Sequence, residues 1–224
     1  MAEKEPTRSE ARGPIPRWVW VLVAIVLVAG LVAGVSVFYA KTRKDETTAP
    51  APSSAPTATA GGADGCIAGR DNDAKSLIEG AKKQAHTDEG AVGTAAGMVR
   101  WILQYPWPSE KEATDVMTTL STVTDKEEIA SSVAALRQFP APDSARTGSI
   151  TFADGRYVIE SAEPDRVKVS VAGQGVADSQ LTGKSAVMTL TMVWTNDTWK
   201  LAESDTDRTA EDALSNGVAF TGGC

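Results

Sequence analysis

Ala186-Val187-Met188-Thr189-Leu190-Thr191-Met192-Val193-Trp194-Thr195-Asn196-Asp197-Thr198-Trp199-Lys200-Leu201-Ala202 is the stretch whose reading decides the fold. Two runs rich in β-branched, aromatic and long apolar residues flank Thr195-Asn196-Asp197, which predicts an antiparallel hairpin. Working back towards the N-terminus, Tyr157 to Ser161 and Val167 to Val171 flank Glu163-Pro164-Asp165. In the second of these runs Val167, Val169 and Val171 alternate with Lys168 and Ser170, the period of a strand with two unlike faces. Strand follows strand through short turns, so the sheet is expected to be antiparallel.

Before Pro142 the period is helical. Thr87-Asp88-Glu89 supplies an N-cap and first-turn acids, and Val92, Ala95, Ala96, Val99, Ile102 and Leu103 recur at helical spacing until Pro106. Ser109-Glu110-Lys111-Glu112 reads as a capping box ahead of Ala113, Val116, Met117 and Leu120. Asp125-Lys126-Glu127-Glu128 opens a third helix, carrying Ile129, Val133 and Leu136 towards Pro140. A shorter helix around Asp73 to Ala85 is interrupted on paper by Gly80. Three or so helices and then a meander make an α+β domain, with the helices expected on one sheet face.

Outward again lies the apolar run from Trp18 to Ala40. At ~1.5 Å per residue it is long enough to span a ~30 Å hydrocarbon layer. Trp18 and Trp20 at one rim, Phe38 and Tyr39 at the other, and Arg17, Lys41, Arg43 and Lys44 beyond them match the belts of a transmembrane helix. A secretory signal peptide has an apolar core of only ~7–15 residues and a small-residue cleavage site. This run is longer and ends in Phe38-Tyr39-Ala40-Lys41, so it is expected to remain as an anchor. The organisation then reads as a cytoplasmic tail over residues 1–17, a transmembrane helix over 18–40, a Thr-, Ala- and Pro-rich linker over 41–65, and an extracytoplasmic domain over 66–224. Basic residues bias the orientation only slightly, with Lys4, Arg8, Arg12 and Arg17 on one side of the run and three on the other. Within the run, Gly30 and Gly34 form a small-xxx-small pair that can pack helix against helix, and a homo-oligomer through this face is left open.

Cys66 and Cys224 bracket the domain, an arrangement expected of one structural disulfide in an exported chain. Two free thiols or an intermolecular bridge are the alternatives. A redox motif is disfavoured because the chain contains no Cys-x-x-Cys.

Between these cysteines 15 Lys and Arg oppose 23 Asp and Glu, a net of −8. That balance repels a phosphate backbone, so direct nucleic-acid contact is not expected. Nor do the residues compose a recognisable catalytic set. His86 is the single histidine, next to the Thr87 cap, and reads as solvated. The chain lacks a Gly-x-Ser-x-Gly elbow, a phosphate loop and a His-Glu-x-x-His motif. Asp71-Asn72-Asp73 and Glu203-Ser204-Asp205-Thr206-Asp207 place oxygens at alternate positions as a calcium loop does, but without its Gly and its distal Glu, so they read as solvated acidic turns. No cofactor and no metal is expected. Trp101 falls on the apolar face of its helix and reads as core, whereas Tyr105 and Trp107, beside prolines, are candidates for a pocket or an interface.

One span, a polar spacer, helices ending in Trp101-Ile102-Leu103-Gln104-Tyr105-Pro106-Trp107-Pro108, and a sheet closing through Trp194-Thr195-Asn196-Asp197-Thr198-Trp199-Lys200-Leu201 together resemble the nuclear-transport-factor-2-like superfamily. More narrowly, the chain is similar to the bitopic extracytoplasmic proteins of that fold in actinobacterial and other Gram-positive conjugative elements and type IV secretion systems. The resemblance implies a cone-like domain with helices packed on a curved antiparallel sheet. It also implies a cell-membrane location, with the lipid bilayer and other membrane or channel proteins as partners. The expected function is a non-enzymatic assembly or scaffold component of a conjugation or secretion apparatus. The alternatives are a small-ligand-binding or carboxylate-based enzyme domain of the same cone, and an envelope sensor.

Overall fold

A computed structural model describes residues 62–136, 146–205 and 208–224. The Trp18–Ala40 run, Gly30 and Gly34 lie outside the described residues. Among the described residues no helix is long and apolar enough to cross a membrane.

Four helices come first: α1 (Ala74–Ala81), α2 (Asp88–Ile102), α3 (Glu110–Leu120) and α4 (Lys126–Leu136). They start where side-chain oxygens satisfy the first free N–H groups. Asp73 accepts from Ser76 N, and Thr87 accepts from Gly90 N. Ser109 and Glu112 close the capping box reciprocally, and Asp125 Oδ1 accepts from Glu127 N and Glu128 N. α2 stops at Ile102 with Leu103 as its C-cap, ahead of Pro106.

Gly80 does not interrupt α1. It permits a close approach, because a Cβ there would stand 2.2 Å from the Ile67 carbonyl oxygen. Ile67 also packs against Gly97 of α2, where a Cβ would meet its Cγ1 at 2.9 Å and Leu77 Cδ1 at 2.8 Å. Gly80, which weakens the helical reading of the sequence, and Gly97 are what let α1, α2 and the entering chain share one space.

The sheet contains β1 (Gly148–Glu163), β2 (Arg166–Ala177), β3 (Gln180–Thr195), β4 (Thr198–Asp205) and β5 (Val218–Ala219), in the order β4-β3-β2-β1-β5. All pairings are antiparallel. The β3–β4 turn is Asn196-Asp197, with φ of 53° and 57°, left-handed at both positions as a two-residue turn with the strands' own twist requires. β2 and β3 are joined likewise by Asp178 and Ser179, with φ of 47° and 65°. The strands run well past the alternating segments visible in sequence, since Gly148 to Thr151 pairs with Gln174 to Ala177. Register shifts interrupt each of the long ladders, between Thr151 and Arg156, Ile159 and Ser161, Gln174 and Val176, and Thr191 and Met192. Such bulges bend a strand and increase its twist, and the sheet is curved.

α2 lies across β1 to β4 and is buried along nearly all its length. Its Val92, Ala95, Ala96, Val99 and Trp101 join Val167, Val169, Val171, Leu190, Met192 and Trp199 in the main core. α1 packs on α2 and α3, α4 packs on α3, and α3 reaches β4.

A fifth helix, α5 (Ala210–Asn216), was not expected from sequence, and it corrects the placement of all helices on one face. Ser170 and Ala172 alternate with the core valines of β2 and are themselves fully buried. α5 crosses β1, β2 and β3 above them, after which Gly217 lies against Arg156, the residue paired with Ala172. β2 is therefore covered on both sides. The architecture is α+β, with four helices before the sheet and one short helix after β4.

Candidate docking grooves

Cys66 and Cys224 form a disulfide with a Cα–Cα distance of 5.4 Å. It belongs to a larger tie. Gly65 N donates to Gly222 O at 2.8 Å, Thr221 N donates to Ala63 O at 3.0 Å, and Thr221 Oγ1 donates to Gly62 O at 2.8 Å. Phe220 packs between Phe152 and Tyr157 beneath this strap. Arg100, almost wholly buried on α2, donates from its two terminal nitrogens to the Gly69 and Arg70 carbonyls. Burial pulls its pKa below the usual guanidinium range. The entry to the domain is thus fixed covalently, by strand-like hydrogen bonds and by a buried cation.

The aromatic corner lies where α2 hands over to α3. Tyr105 N donates to Gly148 O at 2.7 Å and Gly148 N donates to Tyr105 O at 2.8 Å, docking the corner on the start of β1. The Tyr105–Pro106 peptide bond is cis. Trp101 is fully buried, as its helical position suggested. Tyr105 and Trp107 are half-buried, edge to face with centroids 5.1 Å apart, and line a groove of ≈ 300 Å³. Gln104, Ser149, Thr182 and Lys184 are its polar lining.

A second groove, of ≈ 370 Å³, opens between α3, α4 and the β3–β4 edge. Its floor is Ile102, Met117, Met188 and Leu201, with Glu128 and Glu203 as its carboxylates. Glu203 is paired with Arg166 at 3.0 Å. A carboxyl held above its ordinary range by burial is found elsewhere, at Asp88 in the first turn of α2, where Glu89 adds a smaller push in the same direction.

His86 is exposed beside the cap, as expected, and also makes contacts that the sequence does not show. Its ring stacks on Trp194 with centroids 4.4 Å apart and meets Trp199 edge-on at 5.5 Å. Its Nε2 lies 2.8 Å from Pro164 O and 2.9 Å from Asp165 Oδ1. Trp199 Nε1 donates to Ala85 O at 3.0 Å. His86 thereby fastens the start of α2 to the tips of both hairpins, a role invisible in sequence because its partners lie far along the chain.

The acidic stretches are likewise structural. Asp73 is the α1 cap and Asn72 is buried at φ 50°. Glu203 and Asp205 lie on β4 rather than in a turn, paired with Arg166 and Lys168, and Asp207 lies outside the described residues. Among the described residues no group of three or more metal-ligating side chains converges.

On the second sheet face Arg208 is bidentate to Glu160, with Nε to Oε1 at 2.6 Å and the second terminal nitrogen to Oε2 at 2.7 Å, and also pairs with Asp212. Ser170 donates to Glu160 at 2.6 Å and shares a hydrogen bond with Thr189. Arg208, and then Ser170, hold the Glu160 carboxyl below its usual range.

These features define an α+β domain with shaped surface grooves. The chain belongs to the family described as a domain of unknown function (DUF8175), which matches residues 84–221. No curated protein and no solved structure matches it.

Proposed function

We propose that this chain is a single-pass membrane protein carrying a non-enzymatic docking domain outside the cytoplasm, and that it serves as an assembly component of a conjugative transfer or secretion apparatus. The observation that carries this reading is the disulfide-backed tie at Gly62–Cys66, the point where the spacer from Trp18–Ala40 enters the domain. Disulfides persist in oxidising, extracytoplasmic compartments. A domain fixed at its point of entry leaves the aromatic and carboxylate-lined grooves as surfaces for neighbours in the envelope. The nuclear-transport-factor-2-like resemblance supports the assembly role, and the net charge of −8 favours protein over nucleic-acid partners.

Membrane fractions of cells expressing the full chain test it. The domain should be digested by protease added to intact protoplasts and should carry the disulfide in non-reducing mass spectrometry. Site-specific cross-linkers at Trp107 and Leu201 should capture a defined secretion or conjugation subunit. Protection of the domain from protease, or free thiols at Cys66 and Cys224, would sink the placement.

A second reading, a small-ligand site, is favoured by the apolar floor of the groove bearing Glu128 and Glu203. It predicts saturable binding of a small apolar ligand that Leu201→Asp abolishes.

A further inference from the structure

Among the described residues two large hydrophobics are exposed, Leu181 at 61% and Val218 at 44%. Leu181 lies just past the Asp178-Ser179 turn, at the tip of the β2–β3 hairpin. The tip is braced in place: Asp178 N donates to Thr147 O at 3.1 Å, the Asp178 carboxylate accepts from Arg146 N and Thr147 N, and Thr182 Oγ1 donates to Gly175 O. Among the described residues the outer edge of β3 is unpaired from Gln180 to Met188, because β4 pairs it only from Thr189 to Thr195. That edge is a poor template for another strand, since its register with β2 shifts between Gln174 and Val176 and Gly183 takes a φ of 71°. Contact at this tip therefore runs through side chains. Besides Leu181 the tip bears Arg146 and Lys184, neither in an ion pair among the described residues, while the Asp178 carboxylate is spent on backbone N–H groups. An apolar, cationic point thus stands on a domain whose net charge is −8.

The groove between α3, α4 and the β3–β4 edge has the complementary chemistry. Its ≈ 370 Å³ is well above the roughly 150 Å³ that admits benzene in an apolar core. Ile102, Met117, Met188 and Leu201 give it an apolar floor, Glu128 and Glu203 give it negative charge, and among the described residues no basic side chain lines it. Arg166 already answers Glu203 at 3.0 Å, whereas Glu128 has no ion-pair partner among the described residues. The two methionines are unbranched and adapt their shape to what they receive. Such a groove accepts an apolar side chain flanked by positive charge. Leu181 and Met188 are seven positions apart on β3, about 24 Å at strand rise, so a braced tip does not reach the groove of its own domain.

We infer that the hairpin tip bearing Leu181, Arg146 and Lys184 docks into the Glu128 groove of a second copy of this chain. The contact is head to tail: each copy keeps a free tip at one end and a free groove at the other, so the same contact repeats into a ring or a row. One tip buries little area, so the contact is weak between free copies and is strengthened where many copies are held on one surface. It needs no subunit of a secretion or conjugation apparatus, so its failure and the failure of the assembly reading are separate results.

The test uses the purified full chain reconstituted in lipid vesicles as two populations, a probe copy with photoreactive Gln180→benzoylphenylalanine beside Leu181 and a tagged target copy. Illumination should join probe to target, and mass spectrometry should place the cross-link in the α3, α4 or β3–β4 segments that line the target's groove. Glu128→Lys in the target, at an exposed position on α4, should lower capture about tenfold or more, and Arg146→Glu with Lys184→Glu in the probe should restore it against that target. Leu181→Asp should abolish capture when the probe carries it and leave capture unchanged when the target carries it, since only the probe's tip and the target's groove meet. Absence of capture at high chain density overturns the inference. So do cross-links to the target's own tip, which would make the contact symmetric, and capture that survives both Glu128→Lys in the target and Leu181→Asp in the probe, which would mean that some other part of the chain brings the copies together.

Discussion

At its centre β2 buries side chains on both faces, by opposite means. Val167, Val169 and Val171 face α2 and contribute to a core of Leu190, Met192, Trp199 and Val99, where burial is non-directional and scales with apolar area. Ser170, on the other face, is equally inaccessible, yet its surroundings are Glu160, Thr189 and the Arg208 guanidinium. Each polar group there stays buried only because its partners are aimed at it. The apolar face tolerates change in proportion to volume, whereas the polar face depends on complete pairing and on charge.

The largest effect should come from the apolar face. Trp199→Ala removes a fully buried indole and its bond to Ala85, and should cost about 3–5 kcal/mol in urea unfolding of the full chain. A loss below about 1 kcal/mol would break the account of that face. Next is the tie at the domain entry. Cys66→Ser with Cys224→Ser should cost about 2–4 kcal/mol, read as a lower denaturation midpoint that matches reduced wild type.

The polar face should lose less. Arg208→Ala strips Glu160 of its bidentate partner and should cost about 1–2 kcal/mol near neutral pH. The pH dependence sharpens the contrast. Glu160 is held below its unfolded value, so its contribution is fully present above that value, near 4.5, and disappears as pH falls through the folded one. Wild type and Arg208→Ala should therefore converge in stability on acidification, while the deficit of Trp199→Ala should persist. A gap for Arg208→Ala that does not shrink would show that its role is packing. Smallest of all, His86→Ala should cost on the order of 1 kcal/mol through the lost stack on Trp194, and His86→Phe should recover most of it.

Much of this was legible beforehand. The caps at Thr87 and Ser109, the Asn196-Asp197 turn and the alternating valines of β2 are local signals, each written within a few residues. α5 carries seven residues and little apolar periodicity, so nothing local distinguished it. Ser170 looked like the solvent face of a strand because period two says which residues share a side and not what covers that side. The contacts of the exposed His86 were not legible because its partners, Pro164, Asp165, Trp194 and Trp199, are brought to it only when both hairpins close.

By itself, then, the sequence determined the order of α1 to α4 and β1 to β4, the acidic balance of the domain and the uncharged run Trp18–Ala40, since these follow from composition and short-range periodicity. Tertiary structure alone decided that β2 is covered twice, that Gly80 is a contact rather than a break, and that Tyr105 and Trp107 meet Lys184 across one groove. These depend on residues tens of positions apart meeting in space, a relation set by sheet register and helix packing that no local pattern encodes.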